Sequence, residues 1–150
     1  MRKGYPIIGT DQDLQNLRRD YKLALVTVGQ IKSAATRIRL FNKLNDLKYE
    51  LPVIISPRSY VSSNCKIGAG TIIMHDAMVN TKVKVGNNCI INNKVLIEHD
   101  AIVSDHCHIA TGAIINGEVA VGNETFIGSG VVSKQSISIG SHCIIGAGVV

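Results

Sequence analysis

In the segment Ile97-Glu98-His99-Asp100 two carboxylates flank one imidazole. A histidine poised near neutral pH can take a proton from an attacking amine or hydroxyl, and a neighbouring carboxylate fixes its tautomer and stabilises the imidazolium that forms. Alternation along a strand does not say whether Glu98 or Asp100 is that neighbour, so both stand as candidates. Cys107, beside His108, offers a rival chemistry in which a thiolate is the nucleophile. The remaining histidines, His75, His106 and His142, read as solvated surface groups.

The elements that must carry these residues follow from a period of six. From Ile55, every sixth residue to Ile145 is Ile or Val except Ser133, with no insertion or deletion. Four residues further into each hexad stands a small or β-branched residue, including Thr71, Ala77, Val83 and Ala101. The residue after the aliphatic one is often Gly or Asn, as at Gly68, Gly86, Asn92 and Gly122, which reads as a turn position. A helix of 3.6 residues per turn would spread this period around its surface, and no flat strand runs so far. The period fits a parallel β-helix in which three hexads close a triangular coil, giving about five coils over residues 55–150.

The same register accounts for the cysteines. Cys65, Cys89, Cys107 and Cys143 all fall in the small inward column, and their separations of 24, 18 and 36 are multiples of six. Without a CxxC pair they read as reduced core residues, which also argues against Cys107 as a nucleophile. None of the five histidines occupies the aliphatic column, so most are expected at the surface.

Residues 1–54 follow another pattern and are expected to form a small α/β piece. Thr10 reads as a helix cap with Leu14 and Leu17 inward, Leu23 to Val28 as a buried strand, and Ile31, Ala34 or Ala35, Ile38, Phe41 and Leu44 as one face of a second helix. This third of the chain holds ten Lys/Arg against five Asp/Glu, whereas residues 55–150 hold six of each. Arg18-Arg19 and Arg37/Arg39 lack interleaved aromatics, so they read as a solvated helix face rather than a nucleic-acid surface, with attraction of a phosphate-bearing small molecule as the alternative. The composition, 45% hydrophobic with 4% aromatic and no Trp, suits a β-rich solenoid. No apolar run approaches the roughly 20 residues of a membrane span, and the start lacks a secretory pattern, so a cytoplasmic address is expected.

From Gly4 to Val150 the chain resembles the NeuD/PglD family of bacterial sugar acetyltransferases, hexapeptide-repeat enzymes that join an α/β (Rossmann-like) nucleotide-sugar-binding domain to a left-handed parallel β-helix. The matching residues are His99-Asp100, His108 nine positions on, Gly117 nine beyond that, and Asn92 seven before His99. The resemblance implies a left-handed β-helix over residues 55–150 preceded by an incomplete Rossmann-like unit over residues 1–54. It implies transfer from acetyl-CoA, without a metal, to a sugar or nucleotide-sugar substrate by direct attack within a ternary complex. Carried over, His99 is the general base, Asp100 its orienting partner, His108 a contact near the thioester, Gly117 an amide donor to the oxyanion, and Asn92 a substrate-facing group.

The resemblance further implies a homotrimer with acetyl-CoA between neighbours, expected to bury outward residues such as Ile72, Leu96, Ile102 and Ile114. The chain passes over the family's glycine-rich first loop and stops within a repeat, so it is expected to be a piece of a longer protein. N-acetylation of a UDP-linked amino sugar is the first expectation, with O-acetylation of sialic acid and a noncatalytic β-helix for binding or assembly as alternatives. The paired histidines five apart of γ-class carbonic anhydrases, another β-helix family, are absent.

Overall fold

A computed structural model describes residues 4–150 of the chain. From residue 54 onward it is a parallel β-solenoid of fifteen two-residue strands, numbered in chain order from β1 (Ile54–Ile55) to β15 (Ile144–Ile145). Each strand ends on the aliphatic residue of its hexad, and successive strands go to successive sheets except at Ser133, whose hexad forms no strand. The six-stranded sheet stacks β1, β4 (Ile72–Ile73), β7 (Ile90–Ile91), β10 (His108–Ile109), β13 (Phe126–Ile127) and β15. The four-stranded sheet holds β2 (Tyr60–Val61), β5 (Met78–Val79), β8 (Leu96–Ile97) and β11 (Ile114–Ile115), and the five-stranded sheet holds β3 (Lys66–Ile67), β6 (Lys84–Val85), β9 (Ile102–Val103), β12 (Ala120–Val121) and β14 (Ser138–Ile139).

Every pairing is parallel and joins residues 18 apart, as in Ile73↔Ile91 and Ile97↔Ile115, so three hexads close one turn. Adjacent side chains of a strand face opposite ways. Hence Ile91, Ile97, Ile109, Ile115 and Ile127 fill the interior at 0% exposure while their neighbours point outward. The small column, including Ala101, Cys107 and Ala113, completes the same core.

Two features of the corners differ from the turn reading. The left-handed backbone conformation falls three residues after the aliphatic position, at Asp76, Lys82, Asn88, Lys94, Asp100, His106, Glu118 and Glu124 among others. The glycines directly after the aliphatic residue answer to stacking instead: a β-carbon on Gly86 would lie 2.7 Å from the Asp105 backbone nitrogen in the next coil. The repeat's exception, Ser133, is buried, and its hydroxyl accepts the Asn116 N–H at 2.9 Å while its carbonyl accepts from the Asn116 side chain at 2.6 Å. There the ladder shrinks to a single bridge, Ile114↔Val132.

The N-terminal third corrects several expectations. Helix α1 is only Leu14–Leu17, with Asp13 at its N-cap position. Thr10 precedes it in a turn and gives its N–H and hydroxyl to the Asp13 carboxylate at 2.8 and 2.9 Å, so Thr10 is not the cap. Leu23 to Val28 is not a buried strand: among the described residues its sole ladder partner is Glu50, through the parallel bridge Leu23↔Glu50, and both Leu23 and Val28 are exposed. The second helix, α2, spans Ala35–Asp46 and buries Arg37, Phe41 and Leu44, while Ile31 lies outside it and exposed. Val26, Phe41, Leu44, Tyr49 and Leu51 make a second small core. Among the described residues no helix is long and apolar enough to cross a membrane.

Arg37 is not on a solvated face. It is 1% exposed, and its guanidinium donates to the carbonyls of Val28 at 2.6 Å and Asn88 at 2.7 Å and to Asn88 Oδ1 at 2.8 Å. One rigid fork therefore joins α2, the segment before it and a corner of the solenoid. Arg39 does face outward, 3.4 Å from Asp11.

Candidate active site

Residues 18 apart stack on the same corner, and His99 and Gly117 are such a pair. His99 leaves β8 at the corner leading to β9, with its side chain 54% exposed. Its Nδ1 lies 3.1 Å from Asp100 Oδ2. Glu98 is turned away and accepts from the Asn80 amide at 2.7 Å, so the flanking carboxylate that meets the imidazole is Asp100. The left-handed backbone at Asp100 folds that carboxylate back towards the ring. With Nδ1–H donated to a carboxylate, Nε2 carries the lone pair.

That Nε2 rests against Gly117, where a β-carbon would lie 2.8 Å away. Ring and glycine border a cleft of about 420 Å³ whose other walls include Glu98, Asn116, Glu118, Gln135 and Ser136. Asn116, Gln135 and Ser136 escaped the sequence reading, although the break at Ser133 was the signal for them. Ser133 displaces the ladder at Asn116, immediately before Gly117.

Asn92 and His108 form a second group, linked to each other but on a different side of the prism. Nine residues are half a coil, so the spacing that separates His99 from His108 puts them on different sheets: His108 belongs to β10 of the six-stranded sheet and Asn92 follows β7 in that sheet. His108 is 9% exposed, against the expectation of a surface histidine. The reason is the segment before α2, which lies over it: His108 Nδ1–H donates to the Gln30 carbonyl at 2.7 Å, and Phe126 meets the ring edge-on at 5.2 Å. The other nitrogen, Nε2, then accepts from the Asn92 amide at 3.3 Å. Burial pushes the His108 pKa down, offset by the Gln30 carbonyl and reinforced by nearby Arg37, so the neutral imidazole fits this set of bonds. Gln30 gave no signal in the sequence.

The other histidines are partnered. His106 packs edge-on against Phe41 at 5.4 Å and reaches the Asn88 side chain at 3.0 Å, so it is half-buried rather than solvated. His75 hydrogen-bonds Ser56 at 2.6 Å, and His142 lies 3.3 Å from Glu124. All four cysteines are free. Cys107 is 0% exposed with its thiol directed to the Gly122 carbonyl at 3.0 Å, out of reach of a substrate. Among the described residues no cluster of His, Cys, Asp or Glu is arranged to hold a metal ion.

A solenoid with 18-residue coils and an imidazole–carboxylate pair at a corner is the architecture of hexapeptide-repeat transferases. Two family models agree, "Bacterial transferase hexapeptide (six repeats)" over residues 64–99 and "Hexapeptide repeat of succinyl-transferase" over residues 118–150. Among solved structures, the acetyltransferase domain of PglB from Neisseria gonorrhoeae, in complex with acetyl coenzyme A, is 31% identical with a TM-score of 0.94. The match covers 100% of this chain and 72% of that one. PerB from Caulobacter crescentus, in complex with CoA and GDP-perosamine, is 28% identical with a TM-score of 0.89, over 99% of this chain and 71% of that one. WeeI from Acinetobacter baumannii shares the fold at 24% identity and a TM-score of 0.90. No curated protein sequence matches. The chain belongs to the NeuD/PglD-like family of sugar acetyltransferases and is an acetyltransferase.

Proposed function

We propose that the protein transfers the acetyl group of acetyl-CoA to the amine of a nucleotide-linked amino sugar, with His99 as general base. The hydrogen bond between His99 Nδ1 and Asp100 carries this reading, because it leaves Nε2 unprotonated at the edge of an open cleft. The sugar amine attacks the thioester carbonyl, so a C–N bond forms and the carbonyl oxygen becomes an oxyanion. The Gly117 N–H is assigned to that oxygen. His99 Nε2 takes the amine proton and Asp100 stabilises the imidazolium. Collapse of the intermediate breaks the C–S bond, and the proton passes to the departing thiolate.

Asn92 and His108 lie on another side of the same prism, so a neighbouring copy is assigned to present them, within a homotrimer of left-handed β-helices. This assignment rests on the family resemblance and on the separation of the two residue groups. In that assembly Asn92 faces substrate and His108 stands on the thioester side. Outward apolar residues support association, with Tyr60, Met78 and Ile102 all exposed.

The test is acetyl-CoA consumption across a panel of UDP- and GDP-linked amino sugars, with free sugars and sialic acid for comparison. Turnover with a nucleotide-linked amino sugar, abolished in His99→Ala, is the expected result. Turnover unaffected by His99→Ala overturns the general-base assignment, and turnover of sialic acid alone overturns the acceptor class.

A further inference from the structure

The solenoid's charges are sorted around His99. Residues 55–150 hold six Lys/Arg, and three of them, Lys66, Lys82 and Lys84, line one cleft of about 330 Å³ in which Asp100 is the only acid. The cleft on the other side of His99 has Glu98 and Glu118 in its walls and no lysine or arginine. The basic cleft lies towards the N-terminal coils: Lys82 stands one coil below Asp100 on the same corner, 3.9 Å from its Oδ1. Lys66 and Lys84 are the outward residues of β3 and β6, directly paired in register.

That register is unfavourable by itself. Like charges directly opposite on neighbouring strands destabilise a sheet. Among the described residues neither Lys66 nor Lys84 has an acidic partner within salt-bridge distance, while Lys82 is shared with Asp100 at the limit of contact. Along the same column the next outward residues are Ile102, Ala120 and Ser138, so the paired lysines are confined to the coils below His99. An anion seated between the ammonium groups would relieve their repulsion.

We propose that Lys66, Lys82 and Lys84 form a phosphate-binding site that takes the diphosphate of the nucleotide-linked acceptor. The identity of the ligand rests on the proposed function of His99 and Asp100; the anion site itself rests only on the lysines. Coenzyme A also carries phosphates, but its pantetheine arm sets them many bonds from the thioester. In a nucleotide-activated amino sugar only the sugar ring lies between amine and diphosphate, which suits a lysine cluster whose Lys82 stands 3.9 Å from Asp100. The acid-walled cleft on the far side of His99 is left for the thioester.

The experiment titrates the intact chain with UDP, with coenzyme A and with inorganic pyrophosphate, by calorimetry and by thermal shift, in the wild type, Lys66→Ala/Lys84→Ala and the control Lys134→Ala. The expected result is that UDP and pyrophosphate bind the wild type and raise its melting temperature. In the double variant their dissociation constants rise at least tenfold and the stabilisation is lost, while coenzyme A changes by less than twofold. The ligand-free double variant is expected to melt no lower than the wild type, since repulsion is removed, and that checks folding. Loss of coenzyme A binding with UDP unchanged overturns the acceptor assignment. Equal affinities in wild type and double variant, or no binding of any of the three probes by the wild type, overturn the site. His99→Ala is expected to bind UDP normally without turning over, so failure of the base assignment shows in turnover and failure of the lysine site shows in binding.

Discussion

A β-carbon added to Gly117 would sit 2.8 Å from Nε2 and 2.9 Å from Cε1 of His99. The absence of a side chain at position 117 thus sets where the imidazole lies and keeps its free nitrogen at the cleft. Gly117 is not among the residues with a left-handed backbone, so alanine is sterically tested here without backbone strain. Gly117→Ala is expected to displace the ring and lower kcat by about 100-fold, the scale of a misplaced catalytic group. A melting temperature close to wild type would place the loss in the site rather than in the fold. Wild-type kcat in this variant would show that the ring's position on Gly117 is unimportant.

Asp100 and Glu98 are equally near His99 in sequence and differ in what they touch. Asp100 bonds His99 Nδ1, whereas Glu98 accepts from Asn80. Asp100→Asn is expected to lower kcat, though less than His99→Ala, because the imidazole stays but loses its charged partner. Glu98→Gln is expected to leave kcat nearly unchanged. Steady-state kinetics of the two variants decides the matter, and the reverse order of effects would transfer the orienting role to Glu98.

What the sequence made legible is what the repeat dictates. A period of six places every residue of the solenoid's core, and a separation of 18 puts His99 over Gly117. Contacts between the N-terminal segment and the solenoid follow no period. Gln30 and His108 are 78 residues apart, and Arg37 and Asn88 are 51 apart. A lone basic residue on an amphipathic helix gives no sign that its guanidinium will be walled in by carbonyls. The strand expected at Leu23 to Val28 failed for a related reason: apolar residues make a strand only where a ladder partner is present, and among the described residues only Glu50 offers one.

Arg37 ties the N-terminal segment to the solenoid through carbonyls rather than an acid, so its loss is expected to loosen that segment selectively. Arg37→Ala leaves the carbonyls of Val28 and Asn88 without their donor and opens a cavity, at a cost of about 3 kcal/mol. Hydrogen exchange is expected to accelerate over residues 24–34 while the coils near Ile91 and Ile109 keep their protection. Lysine is not expected to rescue it, since one ammonium cannot reproduce the fork. Uniform loss of protection along the whole chain would contradict a local role.

The same docked segment makes stability depend on pH. His106 and His108 both lie beneath it, and burial lowers both pKa values from the ordinary 6.5. Asp105 and Glu124 oppose the shift at His106, and the Gln30 carbonyl opposes it at His108, while Arg37 reinforces both. A depressed histidine pKa means that the unfolded chain binds more protons than the folded one once the pH falls below 6.5. Stability from these groups is therefore full above that pH and is lost as pH falls towards the folded-state values, with a slope of at most about 1.4 kcal/mol per pH unit for each histidine. Protonating His108 at Nε2 would also turn the acceptor of the Asn92 amide into a donor facing a donor. Denaturant melts between neutral and mildly acidic pH are expected to show this decline, and His108→Leu, whatever its absolute stability, is expected to flatten it. An unchanged slope in that variant would mean that His108 is not the group that senses the pH.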